Sequence, residues 1–562
     1  MNKISINKLY REFNLELCKV NKSPICAIPK EYVNSITRSL NETDSMNLTI
    51  PKIIQDGNMV DIINPLWEEM KDERLICLNG SEYFVIKTNT FKSDDNSKNI
   101  VAYSREYKLG KIDVVFEDIV FMLVGKEEDN EIYSLNDLLK EETGWSFGHI
   151  DDTVRYNIDE EGNKVEKVRL QTGVNKRWLD YILNDVRENY NCVPTFDTDK
   201  KKINLYDEKT VGENIQLYLS NDNYIKSLSR TNSSEDIVTR LTVVGGDEMD
   251  IVGATVTGYP YLEDYSYFMD NGEMSDELVL HLKKYYEMVE IRSPIWEDLV
   301  KRKQEKIEEL TRRKSDLFVL YEEIRALKSI KEVYSAKGDT VNEALIITQI
   351  SEKVEEQTIL EIEVKHLEED VENLNSSIIE INILCKRETA TDENGELIFT
   401  EDTLEELKEF IYGETYSNDS FLDVNDLIEA GKRELSLTCF PSVEYDIDVK
   451  NFMSRVMDNE FRLHWNGELG LGDVVILYDK DIEQEVFLFV TEYTQRPNEK
   501  NFEKGLTITL SNKKYKDKNI RTIADKIKEG SLAMSSLKRK LYLLNEQKYN
   551  RINMKNYERN YI

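Results

Sequence analysis

Histidine is scarce in this 562-residue chain, with only His149, His281, His366 and His464. No two stand at metal-ligand spacing and no HExxH occurs, which excludes the helix-borne zinc hydrolase signature. No GxxxxGK[ST] occurs either, which removes the phosphate-cradling loop of P-loop enzymes. The six cysteines, Cys18, Cys26, Cys77, Cys192, Cys385 and Cys439, are scattered without a CxxC pair. They read as small buried apolar residues, not as a zinc site or disulfide framework. Long hydrophobic runs are also missing. The longest, VVFEDIVFMLVG, carries Glu117 and Asp118 and is too short to span a bilayer, so no stable membrane insertion is expected. MNKISINKLYREFNL lacks the apolar core of a signal peptide, so folding in a cytosol is expected. Positive charge is in deficit, with 74 Lys and Arg against 108 Asp and Glu. A net charge of −34 repels DNA and anionic membranes over most of the surface. Only 516–562 inverts the sign, with twelve basic residues against five acidic.

What is present is a multidomain α+β pattern, and the length implies about three to five domains. Residues 1–118 are β-rich. In LICLNGSEYFVIKTN (75–89), Asn79-Gly80 between apolar runs predicts a hairpin. Residues 119–225 form an α+β unit. Ser134 is the expected cap of a helix ending at Gly144, and 175–191 is an amphipathic helix with Trp178, Tyr181, Ile182 and Val186 on one face. CVPTFDTDKKKINLYD then reads as strand, turn, strand. Residues 239–244 read as a strand closed by Gly245-Gly246, expected to pair with strands after 435. That makes 226–260 plus 435–515 a split β-barrel with 261–434 inserted into it.

The insertion is dominated by a helical hairpin, about 276–387, turning at 336–339. Ser293-Pro294 is the expected start or kink of a helix. Leu360, Val364, Leu367, Val371, Leu374, Ile378 and Ile381 alternate spacings of four and three, the seam of an antiparallel coiled coil, with Cys385 next in phase. Asn394-Gly395 centres a small β-hairpin, 404–434 reads as largely helical, and Asn466-Gly467 marks another tight turn. In the C-terminal helix, 516–562, Ile520, Ile523, Ile527, Met534, Leu537, Leu541 and Leu544 form a heptad broken at Gly530. This stripe is a candidate assembly surface, with folding back onto its own subunit as the alternative, whereas the hairpin seam reads first as an intramolecular strut packed on itself and second as a docking arm for a neighbouring tail or receptor-binding protein.

An ordered set of phrases resembles the baseplate-hub or tail-tip proteins of tailed bacteriophages, the tail-associated lysin or "prophage endopeptidase tail" family. The phrases are LLKEETGWSFGHID (138–151), VPTFDTDKKKINLYD (193–207), IKSLSRTNSSEDIVTRLTVVGGD (225–247), VTGYPYLEDYSYF (256–268) and LGDVVILYDKD with VTEYTQRPNEKNFEKGLTITLSN (471–512). The resemblance covers most of 1–515. It implies two tail-tube-like β-barrels per subunit, so that three subunits make a pseudo-sixfold ring at the distal tail tip or baseplate of a virion. The implied partners are two further copies, a distal tail or tube protein ring, the tape-measure protein, and tip, fibre or receptor-binding proteins. DNA would pass through without specific binding.

Family members often carry a peptidoglycan-cleaving domain. The expectation here is a hub portion without one: a structural virion protein with no catalytic, cofactor or metal residues. The rival is a tail-associated peptidoglycan hydrolase with an unrecognised site; His149, after GWSFG, is a weak candidate for ligand contact. A third reading is a cytoplasmic coiled-coil scaffold. Paired carboxylates such as Glu141/Glu142 read as solvated surface, and DTDKK and DKDIEQE lack the calcium-loop pattern.

Overall fold

The computed structural model describes residues 4–5, 13–93, 96–116, 118–125, 132–158, 162–171, 176–220, 225–246, 249–392, 394–449, 468–480, 484–497 and 506–513. The chain divides into two compact units. One comprises 1–238, 243–249 and 415–562, the other 239–242 and 250–414.

The first unit is organised by one thirteen-stranded sheet. Its strands are β1 (Leu15–Cys18), β2 (Pro24–Ala27), β3 (Val33–Ser39), β4 (Ser45–Pro51), β5 (Leu75–Leu78), β6 (Glu82–Lys92) and β7 (Ser97–Ser104). The remainder are β8 (Asn214–Leu219), β9 (Ile225–Ser233), β10 (Ser442–Val449), β11 (Val474–Asp479), β12 (Gln484–Gln495) and β13 (Leu506–Ser511). The order is β9-β10-β13-β12-β3-β4-β7-β6-β5-β1-β2, with β11 also paired to β12 and β8 to β11.

Two lobes emerge because the inward-facing apolar residues gather in two separate cores. Met46, Leu48 and Ile50 of β4 join Ile36, Phe84, Ile86 and Ile100 in one core. Leu217 and Leu219 of β8 join Ile447, Val475, Leu477, Val490 and Ile508 in another. Inward and outward residues alternate along β4 and β8, as a half-buried pleat requires, whereas all four residues of β5 are buried. The lobes share β12. Its first half pairs with β11, and its end pairs with β3 through Tyr493↔Arg38 and Thr494↔Thr37. Asn79 (φ 51°) and Gly80 (φ 75°) make the expected turn between β5 and β6. At the mouth of the second lobe a Cβ on Gly212 (φ 80°) would lie 2.0 Å from the Gly472 carbonyl oxygen, so only glycine fits.

The α+β part of this unit follows its local signals. Ser134 caps Leu135–Thr143 and Gly144 ends it in the left-handed region. Trp178, Tyr181, Ile182 and Val186 are all buried, on a helix that widens to a π turn over Tyr181–Val186.

Several expectations are corrected. The strand beginning near 239 runs from Arg240 to Gly245 and, among the described residues, does not pair with strands after 435. Its sheet is three-stranded, between Tyr261–Glu263 and Gly413–Asn418. The long-range pairing belongs to β9, whose partner is β10. The region 404–434 is less helical than expected, because the strand Gly413–Asn418 lies between the helices Glu401–Lys408 and Val424–Thr438. Nor does β structure resume at 435: the helix Val424–Thr438 carries LSLT at its end, burying Leu427, Ile428, Gly431, Leu435 and Thr438 at helical spacing.

In the second unit, helix α1 (Asp276–Lys337) and helix α2 (Thr340–Leu384) form the hairpin. Helix α1 starts at its Ser275 cap and passes through Pro294. Ser293 does not cap; its hydroxyl donates to the Val289 carbonyl at 2.8 Å. Apolar burial on both sides, Tyr285 and Met288 before and Trp296 after, outweighs the lost proline N–H. Gly338 (φ 69°) and the Asp339 cap make the turn. The expected Asn394-Gly395 hairpin is reduced to one bridge, Thr391↔Leu397. Asn466-Gly467, His464 and the heptad from Ile520 to Leu544 lie outside the described residues. Among those described, no helix is long and apolar enough to cross a membrane.

Candidate functional site

The hairpin seam residues stand as follows. Val364, Leu367 and Ile378 are buried; Leu360, Val371, Leu374 and Ile381 are half-buried. Across the two helices Lys353 meets Glu323 at 3.2 Å, Arg313 meets Glu363 at 3.4 Å and Lys306 meets Asp370 at 3.5 Å. Lys314 meets Glu368 at 2.7 Å, and the Tyr321 hydroxyl donates to Glu361 at 2.6 Å. The pairings run in opposite directions along the sequence, so the helices are antiparallel. Phe318, Ile359 and Ile362 remain exposed beside the Tyr321–Glu361 contact.

At the root of the hairpin a buried polar centre ties Arg387, just past α2, to the strand Tyr261–Glu263. One Glu263 oxygen accepts from Arg240 Nε at 2.6 Å and from the Tyr265 hydroxyl at 2.9 Å, and Arg387 Nη2 lies 3.2 Å from it. Arg387 also donates to the Tyr261 hydroxyl at 3.2 Å. Burial works against the Arg387 charge, and Glu263 with the tyrosines around it outweighs that. Two guanidinium groups here share one carboxylate.

Where the two sheet lobes meet, the balance is reversed. Arg38 on β3 pairs with Glu82, lies 3.7 Å from Asp44, donates to Gln495 at 3.2 Å and faces the Tyr493 ring. Glu106, fully packed away, accepts from the Ser104 hydroxyl. Burial pushes Glu106 up to about 8, with Asp44 adding to it. Burial also raises Asp44 to about 7, against the pull of Arg38 and with the push of Glu82. A cavity of about 290 Å³ adjoins this seam.

Catalytic chemistry finds few poised groups. Gly144-Trp145-Ser146-Phe147-Gly148 does have the GxSxG spelling of a hydrolase nucleophile turn, which corrects the reading of the sequence as free of that motif. Its context is inverted: the serine follows a helix and opens the strand Ser146–Ile150, whereas a nucleophile elbow runs strand to helix. The Ser146 hydroxyl accepts from its cross-strand neighbour Lys202 at 2.7 Å. His149 bonds Asp151 at 2.7 Å and leans on Tyr206. His281 sits 3.2 Å from the Thr403 hydroxyl, and His366 is exposed beside Glu369. Burial raises Cys18 to about 11 and Cys192 to about 12, the opposite of an activated thiol. Among the described residues no three His, Cys, Asp or Glu side chains are grouped to hold a metal.

The polar centres were not read from sequence. Their members are spread from Arg38 to Glu106 and from Arg240 to Arg387, and no spacing links them. One signal was there. Arg38 falls in phase with Ile36 on β3, so a charged side chain takes an inward position.

Comparison with known proteins gives the class. The sequence profile of the prophage endopeptidase tail family matches residues 214–521, more than half the chain and all of the hairpin. The chain belongs to that family of phage tail proteins. A prophage-derived uncharacterized protein of Bacillus subtilis, YomG of SPbeta, is 24% identical over 523 residues, covering 90% of this chain and 55% of its own length. The chain thus spans about half the length of that relative. Among solved structures it is similar to prophage tail protein gp18 of Listeria monocytogenes, with a TM-score of 0.42, 12% identity, and coverage of 92% of this chain and 98% of that one. The 43 kDa tail protein of prophage MuSo2 from Shewanella oneidensis aligns with a TM-score of 0.42, 8% identity, and coverage of 89% and 98%.

Proposed function

We propose that the chain is a structural hub at the distal tip of a phage or phage-like tail. Three copies form a ring that caps the tail tube, adapts sixfold to threefold symmetry and anchors tape-measure, tip and fibre proteins. The observation that carries this reading is the paired architecture of the first unit. Two lobes, each with its own apolar core, are fused through β12, so three chains supply six lobes. On this reading the lobes act as tail-tube-like barrels. The hairpin acts as a coiled-coil docking arm, for which exposed Phe318, Ile359 and Ile362 offer apolar contact. A surplus of carboxylates suits a lumen through which DNA slides without sticking.

Light scattering and negative-stain imaging of the purified chain test this together. A threefold ring near three times 65.8 kDa is expected. A dimer held through the hairpin would sink it. The family's description keeps a hydrolase as the rival. Zymography on cell walls separates the two: a cleared band abolished by Ser146→Ala would overturn the purely structural reading.

A further inference from the structure

A pocket of about 380 Å³ lies against the helix Val424–Thr438 in the first unit. Its wall carries five cationic side chains and two carboxylates, in a chain of net charge −34. Two cations are neutralised on the spot. Arg169 meets Asp426 at 2.7 Å, and Lys432 meets Glu429 at 2.9 Å. The other three, Lys167, Lys209 and Arg433, form no ion pair among the described residues. Lys167 donates to the Thr153 carbonyl at 2.5 Å and Arg433 Nη2 to the Glu188 carbonyl at 3.0 Å. A carbonyl supplies a partial charge where a full one is missing. Asp207 is already engaged, by the Thr153 hydroxyl at 2.5 Å and the Lys209 backbone N–H at 2.8 Å.

A second observation is independent of charge. Asn191, held at φ 52° where a helix ends, lines the pocket, and its buried Oδ1 has no protein donor, so it would accept from a protonated oxygen of a ligand and not from a bare anionic one. The floor is fixed. The Arg169 guanidinium lies 4.6 Å over Phe421 and 5.5 Å over Tyr190. Burial, and then Arg169, lower Lys167 below the usual lysine range, in keeping with an under-compensated site.

We infer that this pocket binds a compact oxyanion of the phosphate class, a phosphate ester or a diphosphate, held by Lys167, Lys209 and Arg433. Three cations lining one small pocket call for about two negative charges on one group. A phosphomonoester carries roughly −1.5 to −2 near pH 7, whereas a carboxylate carries one. The guanidinium fork of Arg433 suits two oxygens of one phosphoryl group.

Titration calorimetry of the full chain at low ionic strength tests the site, with inorganic pyrophosphate, inorganic phosphate and glycerol phosphate as separate probes. One saturable site per chain is expected, and the strongest probe separates a free oxyanion from an ester. Lys209→Gln alters an exposed side chain without touching a packed contact, and it should weaken binding about threefold. The double variant Lys209→Gln/Arg433→Gln should weaken it about tenfold or more, while Lys408→Gln, which does not line the pocket, leaves it unchanged. Thermal melting of each variant checks the fold. No saturation up to about 10 mM overturns the inference. So does binding that Lys209→Gln and the double variant leave intact. Displacement of pyrophosphate by a tetraglutamate peptide at equal affinity overturns the phosphate class in favour of a carboxylate partner.

Discussion

At the seam between the sheet lobes, one arginine faces two carboxyl groups, Glu82 and Asp44, and a third, Glu106, adds its repulsion to theirs. At the hairpin root, one carboxylate faces two arginines. Both centres are built around a buried arginine, Arg38 or Arg387, and both join elements far apart in sequence, yet they answer differently to solvent. Excess carboxylate is relieved by taking up protons near neutral pH, and Asp44 and Glu106 are raised into that range. Excess guanidinium has no such outlet, because arginine stays charged at any ordinary pH. The root is therefore held by one carboxylate that nothing replaces. The seam has a chemical adjustment built in.

The largest expected effect breaks the root. Glu263→Gln leaves buried Arg387 and half-buried Arg240 without their shared counter-charge and should cost about 3–5 kcal/mol. Hydrogen exchange should show the loss in α1, α2 and their base, with little change between pH 5 and 9. A strongly pH-dependent loss would erase the contrast with the seam.

The seam itself is sharpened by pH. Exposed Asp and Glu titrate at 3.8 and 4.5, while folded Asp44 and Glu106 titrate at about 7 and 8. The folded chain holds more protons between those limits, so stability falls as pH rises from about 4 through about 8. Glu106→Gln should match the parent at pH 5 and melt higher at pH 8.5, by roughly 1–3 kcal/mol of stability. Equal melting at both pH values would count against a protonated seam.

Smaller effects grade the root. Tyr265→Phe removes one donor to Glu263 and should cost about 1.5–3 kcal/mol by denaturant titration of the hairpin unit. Ser275→Ala removes the α1 cap and should cost about 1 kcal/mol, read as faster exchange in the first turn alone.

Local chemistry was legible in the sequence and long-range pairing was not. Asn79-Gly80 names its turn because two positive φ angles suit those residues. Ser134 and Gly144 bound a helix for similarly local reasons. For 240–245, alternation told which residues face inward but carried no information about the neighbouring strand, so the partner expected beyond 435 was wrong. LSLT at 435–438 fits a strand and a helix equally over four residues. The helix wins because Leu427, Ile428 and Gly431 extend its buried stripe. The candidate sites are hardest of all. Arg38 betrays itself by phase, but Asp44, Glu82 and Glu106 become a set only once β3, β4, β6 and the chain after β7 are folded together.

The shared strand β12 has a further consequence for the order of events during synthesis. Thr37 on β3 meets Thr494 on β12, 457 positions later. At about 5–20 residues per second a ribosome needs roughly 25–90 s to deliver that partner. During this interval the first lobe can fold on its own core while one flank of β3 offers unpaired N–H and C=O groups, an invitation to other chains. The nascent chain thus carries an open sheet edge through most of its own translation, and closing that edge is among the last steps in making the sheet.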